Sequence, residues 1–351
     1  MLASNGMSFD FFTTEGMDVQ IQHTVMDVQI GLENAVERIL KARGKPAVMM
    51  CDRGTMDGSA YLDKTTWEQF LADRLTTETE IRDNRYNAVF HMVSAADGAE
   101  SHYTLENNQA RTESVEAALS MDRKTQRAWV GHSHLHVFDN STDFEGKLQR
   151  LVNVIAKLVG LPSDLKRQSE KFVLRTPPKV EDFPADIDYH YFEVEKVYLT
   201  TSDDDDETYS FIRKRTNLDT RGKKLGSVYQ LTTVTRSPSG DTVEEKRIIT
   251  AREYSSAYLT RDVRRHIVHQ KRISFLYKLQ SFTVHTYEQP VSDISILNAQ
   301  VEAAKDGAEP EVELPPFLDV EKRLSGDNKE DEEKYSAYSI SIINKFPVIK
   351  E

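Results

Sequence analysis

The tetrapeptide Cys51-Asp52-Arg53-Gly54 closes a short apolar run over 47–51. An acid at the carboxyl end of a buried parallel strand faces the crevice where α/β folds bind ligands. In P-loop proteins such an acid holds the magnesium of a bound nucleotide, and a neighbouring arginine meets phosphate. Asp52 and Arg53 are therefore candidates for Mg2+ and nucleotide, with Asp52 as a plain turn cap the alternative. A charge-rich helix over 106–128 carries Arg111, Arg123, Lys124 and Arg127. Such a helix makes a lid over transferring phosphate, or a surface helix paired through Glu106, Glu113 and Glu116. The phosphate cradle itself is missing from the sequence. No G-x-x-x-x-G-K-[ST] stretch occurs, and Gly44-Lys45-Pro46 precedes a strand and has proline where a hydroxyl is needed.

A second set lies in the carboxyl half. Arg213 and Arg215 alternate along one expected strand and so share a face. From Lys246 to Arg272, a segment that includes Lys271, eight basic residues stand against two acids. Basic side chains pointing into a β-structure need a counter-charge, and a polyphosphate or phosphorylated headgroup supplies one. Glu193 and Glu195 share a strand face and are candidate ligands for a divalent cation. Lys196 follows at once and falls on the opposite face. His132, His134 and His136 also alternate, but zinc sites draw ligands from several elements, so they read as a polar strand entrance. Cys51 reads as an inert core thiol.

The elements that must position these residues change character along the 351-residue chain. An amphipathic helix over 17–43 uses Ile21, Val25, Val28, Leu32, Val36, Ile39 and Leu40. Strands over 47–51, 88–93 and 135–139 alternate with helices over 64–75, 106–128 and 143–159, which implies a parallel-sheet α/β domain over 1–162. Residues 163–188, with Pro177, Pro178 and Pro184, read as a linker. Beyond it, over 189–351, period-two segments at 191–199, 209–215, 227–234, 244–249, 273–277 and 281–287 predict an antiparallel sheet or barrel. Two acidic tracts, 203–207 and 327–333, read as solvated turns. With 38% hydrophobic and 29% charged residues and no long apolar run, the composition is that of a globular cytosolic protein. The single cysteine excludes an internal disulfide framework, and the net charge of −12 argues against a general nucleic-acid binder.

Four blocks carry a resemblance. They are 51–60 (CDRGTMDGSA), 82–87 (RDNRYN), 91–100 (HMVSAADGAE) and 139–144 (DNSTDF). Together they resemble the TRPL translocation defect protein 14 family across nearly the whole chain. That resemblance implies an AAA-type, P-loop NTPase-like domain followed by a CYTH-like, triphosphate-tunnel β-barrel. It further implies GTP binding with Mg2+, phosphoinositide binding at a membrane surface, and a role in trafficking a membrane protein, peripherally on endomembranes. On it, Arg213, Arg215, Lys246, Lys271, Arg272, Glu321 and Lys322 fall on strands resembling the tunnel wall, with Glu193, Glu195 and Glu321 as metal ligands.

Two departures qualify the carry-over. The P-loop unit is absent, which predicts weak GTP binding. The late strand shows Asn298 and Gln300 where tunnel enzymes carry carboxylates, and amides lack the charge to hold a divalent ion. Both departures favour a binding protein over a metal-dependent triphosphate hydrolase or nucleotide kinase.

Overall fold

Asp63 begins one helix in a way the sequence makes plain. Its carboxylate accepts the N–H groups of Thr65 and Thr66 and so caps α2, Lys64–Asp73. The helix buries Trp67, Phe70 and Leu71 on one side. In the computed structural model, which describes residues 16–99, 114–161, 169–200, 208–219, 221–236, 242–301, 312–325 and 328–343, α2 belongs to the first of two units. That unit spans 1–86 and 112–129. It also holds α1 (Met17–Ala42), a 3-10 segment (Thr55–Tyr61), a π-helical turn (Thr79–Asp83) and α3 (Val115–Ala128).

The second unit spans 87–111 and 130–351. It opens with a two-stranded parallel sheet, β1 (Val89–Met92) beside β2 (Leu135–Phe138), paired Val89 to Leu135. Helix α4 (Phe144–Leu158) follows, with the Asp143 carboxylate accepting the Gly146 N–H as cap. Phe138 and Val154 form the core between α4 and β2. Nine antiparallel strands follow: β3 (Ser169–Leu174), β4 (Tyr189–Tyr198), β5 (Thr208–Leu218), β6 (Lys224–Arg236), β7 (Thr242–Ile249), β8 (Val268–Tyr277), β9 (Gln280–Gln289), β10 (Ser295–Gln300) and β11 (Val320–Leu324). Helices α5 (Ala251–Tyr258), α6 (Lys329–Tyr335) and α7 (Ala337–Ile340) complete the unit.

Four features differ from the sequence expectations. The strand order β11-β3-β10-β9-β8-β4-β5-β6-β7 is linear, so the sheet does not close into a barrel. Within the stretch expected as a linker, residues 169–174 form β3, which pairs with both β10 and β11. Its alternation is short and its partners lie more than 120 residues downstream, beyond the reach of a local pattern. Residues 47–51 pair with no strand among the described residues. Val48 and Met50 are exposed, and Cys51 is exposed instead of sitting in a core. An apolar run becomes a strand only where a partner edge meets it, and the run itself does not reveal one. On α1, Ile21 and Met26 are buried, whereas Val25, Val28, Leu32 and Ile39 of the expected apolar stripe are exposed. No helix among the described residues is long and apolar enough to cross a membrane.

Candidate anion site

Directly opposed residues of an antiparallel pair project to the same side of the sheet. The register therefore assigns every strand residue to one of two faces. Lys196 opposes Arg213. Phe192 opposes Arg272, which in turn opposes His285. Arg213 opposes Gln230, and Gln230 opposes Ile248, two residues from Lys246. On the far side His285 opposes Ile296, and Asn298 opposes Lys171. One face thus carries Lys171, Lys196, Arg213, Arg215, Lys246, Arg272 and, on β11 opposite Val173, Lys322. Among the described residues, its paired positions hold one carboxylate, Glu244. The same face also holds an apolar cluster that includes Val173, Tyr198, Phe211, Val234, Val268 and Tyr287. The other face is apolar over β3, β8, β9 and β10, with Phe172, Leu174, Phe275, Phe282, Val284 and Leu297 in a single cluster, and carries Glu193, Glu195 and Lys271 as well.

The basic face is strongly curled. Lys171 on β3 and Glu244 on β7 stand seven strand steps apart, roughly 34 Å across a flat sheet. Their charges nevertheless act on each other: Lys171 helps hold the Glu244 carboxyl below its usual range, after the larger opposing effect of burial and the larger lowering effect of Lys246. That reach far exceeds the ~10 Å over which charges act in salt. On the same face Val173 of β3 packs in one cluster with Tyr198 of β4, Phe211 of β5 and Val234 of β6, so the face wraps and brings β3 round toward β6 and β7 about a common hollow.

Within the hollow, Lys246 pairs with Glu244 at 2.7 Å. Arg272 donates to Gln270 Oε1 from Nε (3.0 Å) and Nη2 (2.6 Å). The Lys196 ammonium lies 3.7 Å from the centre of the Phe211 ring. Burial pushes Lys196 down to about 7; Glu244 opposes this, and Arg272, Arg213 and Lys171 reinforce it. His285 is pushed well below its ordinary value by burial, then by Arg272, Lys171, Arg213 and Lys196. A face that holds like charges this close, with one acid among them, suits a multiply charged anion.

The parallel sheet closes on the same face. Gly131, at φ 98°, stands where an added Cβ would meet the His190 ring at 2.6 Å. Its carbonyl accepts from Arg215 Nη2. Arg215 is itself buried, donates to Asn217 Oδ1 (3.1 Å) and stacks 3.9 Å from the Phe192 ring centre. These ties set His132, His134 and His136 against the basic face. Burial, then the charges of its neighbours including Lys246, lowers His134 well below its usual value, and burial with His132 and Lys246 takes His136 to about 4. The Nε2 atoms of His134 and His136 and the Thr232 hydroxyl are buried and unpartnered. His132 and His136 are thus buried, with His134 partly buried between them, instead of forming a polar strand entrance.

The structure sorts the remaining sequence candidates. Lys271 lies on the apolar face and pairs with Glu288 at 2.5 Å. Lys322 is held by Asp331 at 2.6 Å beneath the Tyr335 ring. Arg215 supports the fold where an anion contact was expected. Glu193, within 3.4 Å of Lys224, and Glu195, accepting from the Tyr254 hydroxyl at 2.6 Å, face away from the basic hollow. Glu321 occupies the bulge of β11 and is exposed. Glu193 and Glu195 stand two residues apart on β4 but are engaged by different partners, and Glu321 lies on β11, so the three do not gather about one divalent cation; among the described residues no group of three or more His, Cys, Asp or Glu could hold a metal. Lys171, Lys196 and His285 were missed. The period-two rule places Lys196 opposite to Glu193 and Glu195, but only the register shows that its face is the basic one.

The amino-terminal candidates form a different kind of site. Asp52 and Arg53 are exposed, Arg53 takes φ 72°, and its Nη1 lies 3.9 Å from Asp57 Oδ2. Arg123 is exposed on α3, and Arg111 lies outside the described residues. What the motif builds is a polar knot. Asp57 accepts the Gly54 N–H (3.1 Å) and the Trp129 indole N–H (2.7 Å). Tyr86 donates to Glu33 Oε1 and accepts the Thr55 N–H, both at 3.0 Å, while Arg85 holds the other Glu33 oxygen. Burial pushes the Tyr86 phenol up to about 12. A Cβ on Gly54 would stand 2.4 Å from the Trp129 ring, so only glycine fits.

Comparison with known proteins adds the following. Residues 10–147 match the family model described as an AAA domain. No curated protein matches the chain. Among solved structures, an inorganic triphosphatase shares 19% identity over 50% of this chain and 94% of its own, at a TM-score of 0.32. A protein from Pyrococcus horikoshii OT3 shares 14% over 39% and 80%, at 0.29. A putative adenylate cyclase from Vibrio parahaemolyticus shares 10% over 40% and 80%, at 0.27.

Proposed function

We propose that the basic face of the antiparallel sheet binds a polyphosphate anion, either free or carried on a nucleotide, and that the protein works as a binder of that group. The observation that carries this is the convergence of Lys171, Lys196, Arg213, Lys246 and Arg272 about one hollow with Glu244 as the one described carboxylate. Such crowding disfavours the empty site, and guanidinium groups grip phosphate oxygens bidentately. The AAA-domain match over 10–147 supports a nucleotide as the carrier. GTP as that nucleotide, a phosphoinositide headgroup and a trafficked membrane protein rest on the family resemblance. The carboxylates proposed for metal face the other way, which supports binding without hydrolysis.

Titration calorimetry at physiological salt tests the reading. Tripolyphosphate should bind with micromolar affinity, and GTP and inositol trisphosphate, run as competitors, rank the carriers. Absence of binding by all three overturns the proposal. Metal-dependent release of phosphate that disappears in Glu195→Gln would replace it with the hydrolase reading.

A further inference from the structure

A buried polar atom with no hydrogen-bond partner costs a folded chain free energy, and each one asks for a reason. Three of them converge on the basic hollow: Nε2 of His134, Nε2 of His136 and the Thr232 hydroxyl. Thr232 is 1% exposed and stands on β6, with Lys246 directly opposite on one side and Phe211 on the other. The histidines arrive from β2. The Val89 N–H donates to the His134 carbonyl at 2.9 Å, so the pairing with β1 extends to His134, and alternation puts His134 and His136 on one side. Their place at the hollow is fixed by Gly131, whose carbonyl accepts from Arg215 and which leaves no room for a Cβ beside the His190 ring. The Lys246 charge acts on both rings, and the Arg213 charge acts on His134. The His136 ring also lies against Phe90, 5.8 Å between centres.

We propose that His134, His136 and Thr232 form a neutral subsite beside the cations and hydrogen-bond the nucleoside of a nucleoside polyphosphate, so that the hollow prefers a nucleotide to inorganic polyphosphate. The proposal rests on the anion site described above and adds to it the choice of carrier. The cations already supply what a polyphosphate needs, since its ionised oxygens only accept. The three other groups add no charge. Burial is the leading cause that lowers His134 well below its usual value and takes His136 to about 4, so both imidazoles are neutral at pH 7. A neutral imidazole and a hydroxyl each donate and accept, as do the edge of a base and the hydroxyls of a sugar. A site built to hydrogen-bond such groups rejects a ligand that lacks them, because its own buried atoms are then left unpaired. The two histidines fall inside residues 10–147, the stretch that matches the AAA-domain model, whereas Thr232 and the cations lie beyond it. The subsite is thereby built from both halves of the sequence.

Calorimetry on the full chain at physiological salt compares GTP and ATP with tripolyphosphate. At least one nucleotide should bind roughly tenfold or more tighter than tripolyphosphate, although it carries less charge, as two or three net hydrogen bonds would give. Thr232→Val combined with His136→Phe should cut that preference to about threefold or less. Nitrogen NMR of the imidazoles in the unaltered chain decides the matter without a variant that must fold: the nucleotide should shift the Nε2 signals of His134 and His136 well beyond any shift that saturating tripolyphosphate causes. A nucleotide that binds no tighter than tripolyphosphate, or that binds while both Nε2 signals stay in place, overturns this inference and leaves the anion site standing. Equal loss of nucleotide and tripolyphosphate binding in the double variant also overturns it, since these groups would then serve the phosphate or the fold. Failure of tripolyphosphate and both nucleotides to bind removes the anion reading as well.

Discussion

The knot around Asp57 and the hollow around Lys196 are both rich in charge, and they treat it in opposite ways. In the first, each acid meets a donor: Asp57 has Gly54 and Trp129, and Glu33 has Tyr86 and Arg85. Satisfied networks of this kind fix one packing and leave nothing over for a ligand. In the second, cations face cations, and burial with mutual repulsion drives Lys196 down to about 7. Stability alone gives no reason for such an arrangement. The stretch that looked most chemical in sequence, Asp52-Arg53-Gly54, belongs to the satisfied region, whereas the strained region is spread over five strands between Lys171 and Arg272. Crowded like charge marks a site better than a compact motif does.

Removing cations from the hollow should have the largest effect. Arg213→Ala with Arg272→Ala should weaken tripolyphosphate binding more than ~100-fold, two charge-assisted contacts at roughly 1.5–3 kcal/mol each. Calorimetry checks this, and melting temperature should stay within a few degrees because repulsion is relieved as contacts are lost. Next comes Gly54→Ala, which drives a methyl into the Trp129 ring. Overpacking of this kind costs roughly 2–3 kcal/mol and should lower the melting temperature by about 5–10 °C, with anion affinity unchanged. Equal damage to binding would erase the contrast between the two regions.

The third effect is set by pH. Lys196 titrates near 7 in the folded protein and near ~10.4 when unfolded. Its charged form thus disfavours the fold, fully below about pH 7 and progressively less as pH rises toward ~10.4. Bound anion raises the Lys196 value, so affinity should hold level below pH 7 and fall by up to tenfold per unit above it. Lys196→Met should remove that slope and raise the melting temperature at pH 6 by roughly 2–4 °C, the effect of ~1 kcal/mol. The smallest effect belongs to Lys322→Ala. Its exposed pair with Asp331 contributes little, and tripolyphosphate affinity should stay within about twofold.

Local pattern carried much of the fold. Period two located β4 to β9, and caps such as Asp143 marked helix starts, because both signals lie within a few neighbouring residues. What pattern did not carry was pairing. β3 was hidden by the prolines that follow it, and the 47–51 run resembled a strand without meeting an edge. Arg213 and Arg272 could be singled out as basic residues in strands. Lys171, Lys196 and His285 join them only through a register set by partners as far as 127 residues away, as in Asn298 opposite Lys171. Arg215 and Lys271 show the converse. Both had the right type and neighbourhood, and one buried contact or one step of alternation took each elsewhere.

The position of β3 has a practical side. It lies between β11 and β10, and among the described residues β11 is hydrogen-bonded to no other strand. Cutting the chain at residue 189, where the sequence suggested a domain start, would delete the middle of that three-strand group. Strand β11 would lose the one neighbour it has among the described residues, and β10 would become a raw edge whose amides and carbonyls invite another chain. The same cut would strip Phe172 and Leu174 from the apolar cluster and leave the Arg215 guanidinium without the Gly131 carbonyl. A fragment intended as a free-standing sheet would therefore be prone to self-association, and a boundary for isolating this unit belongs before β1 instead.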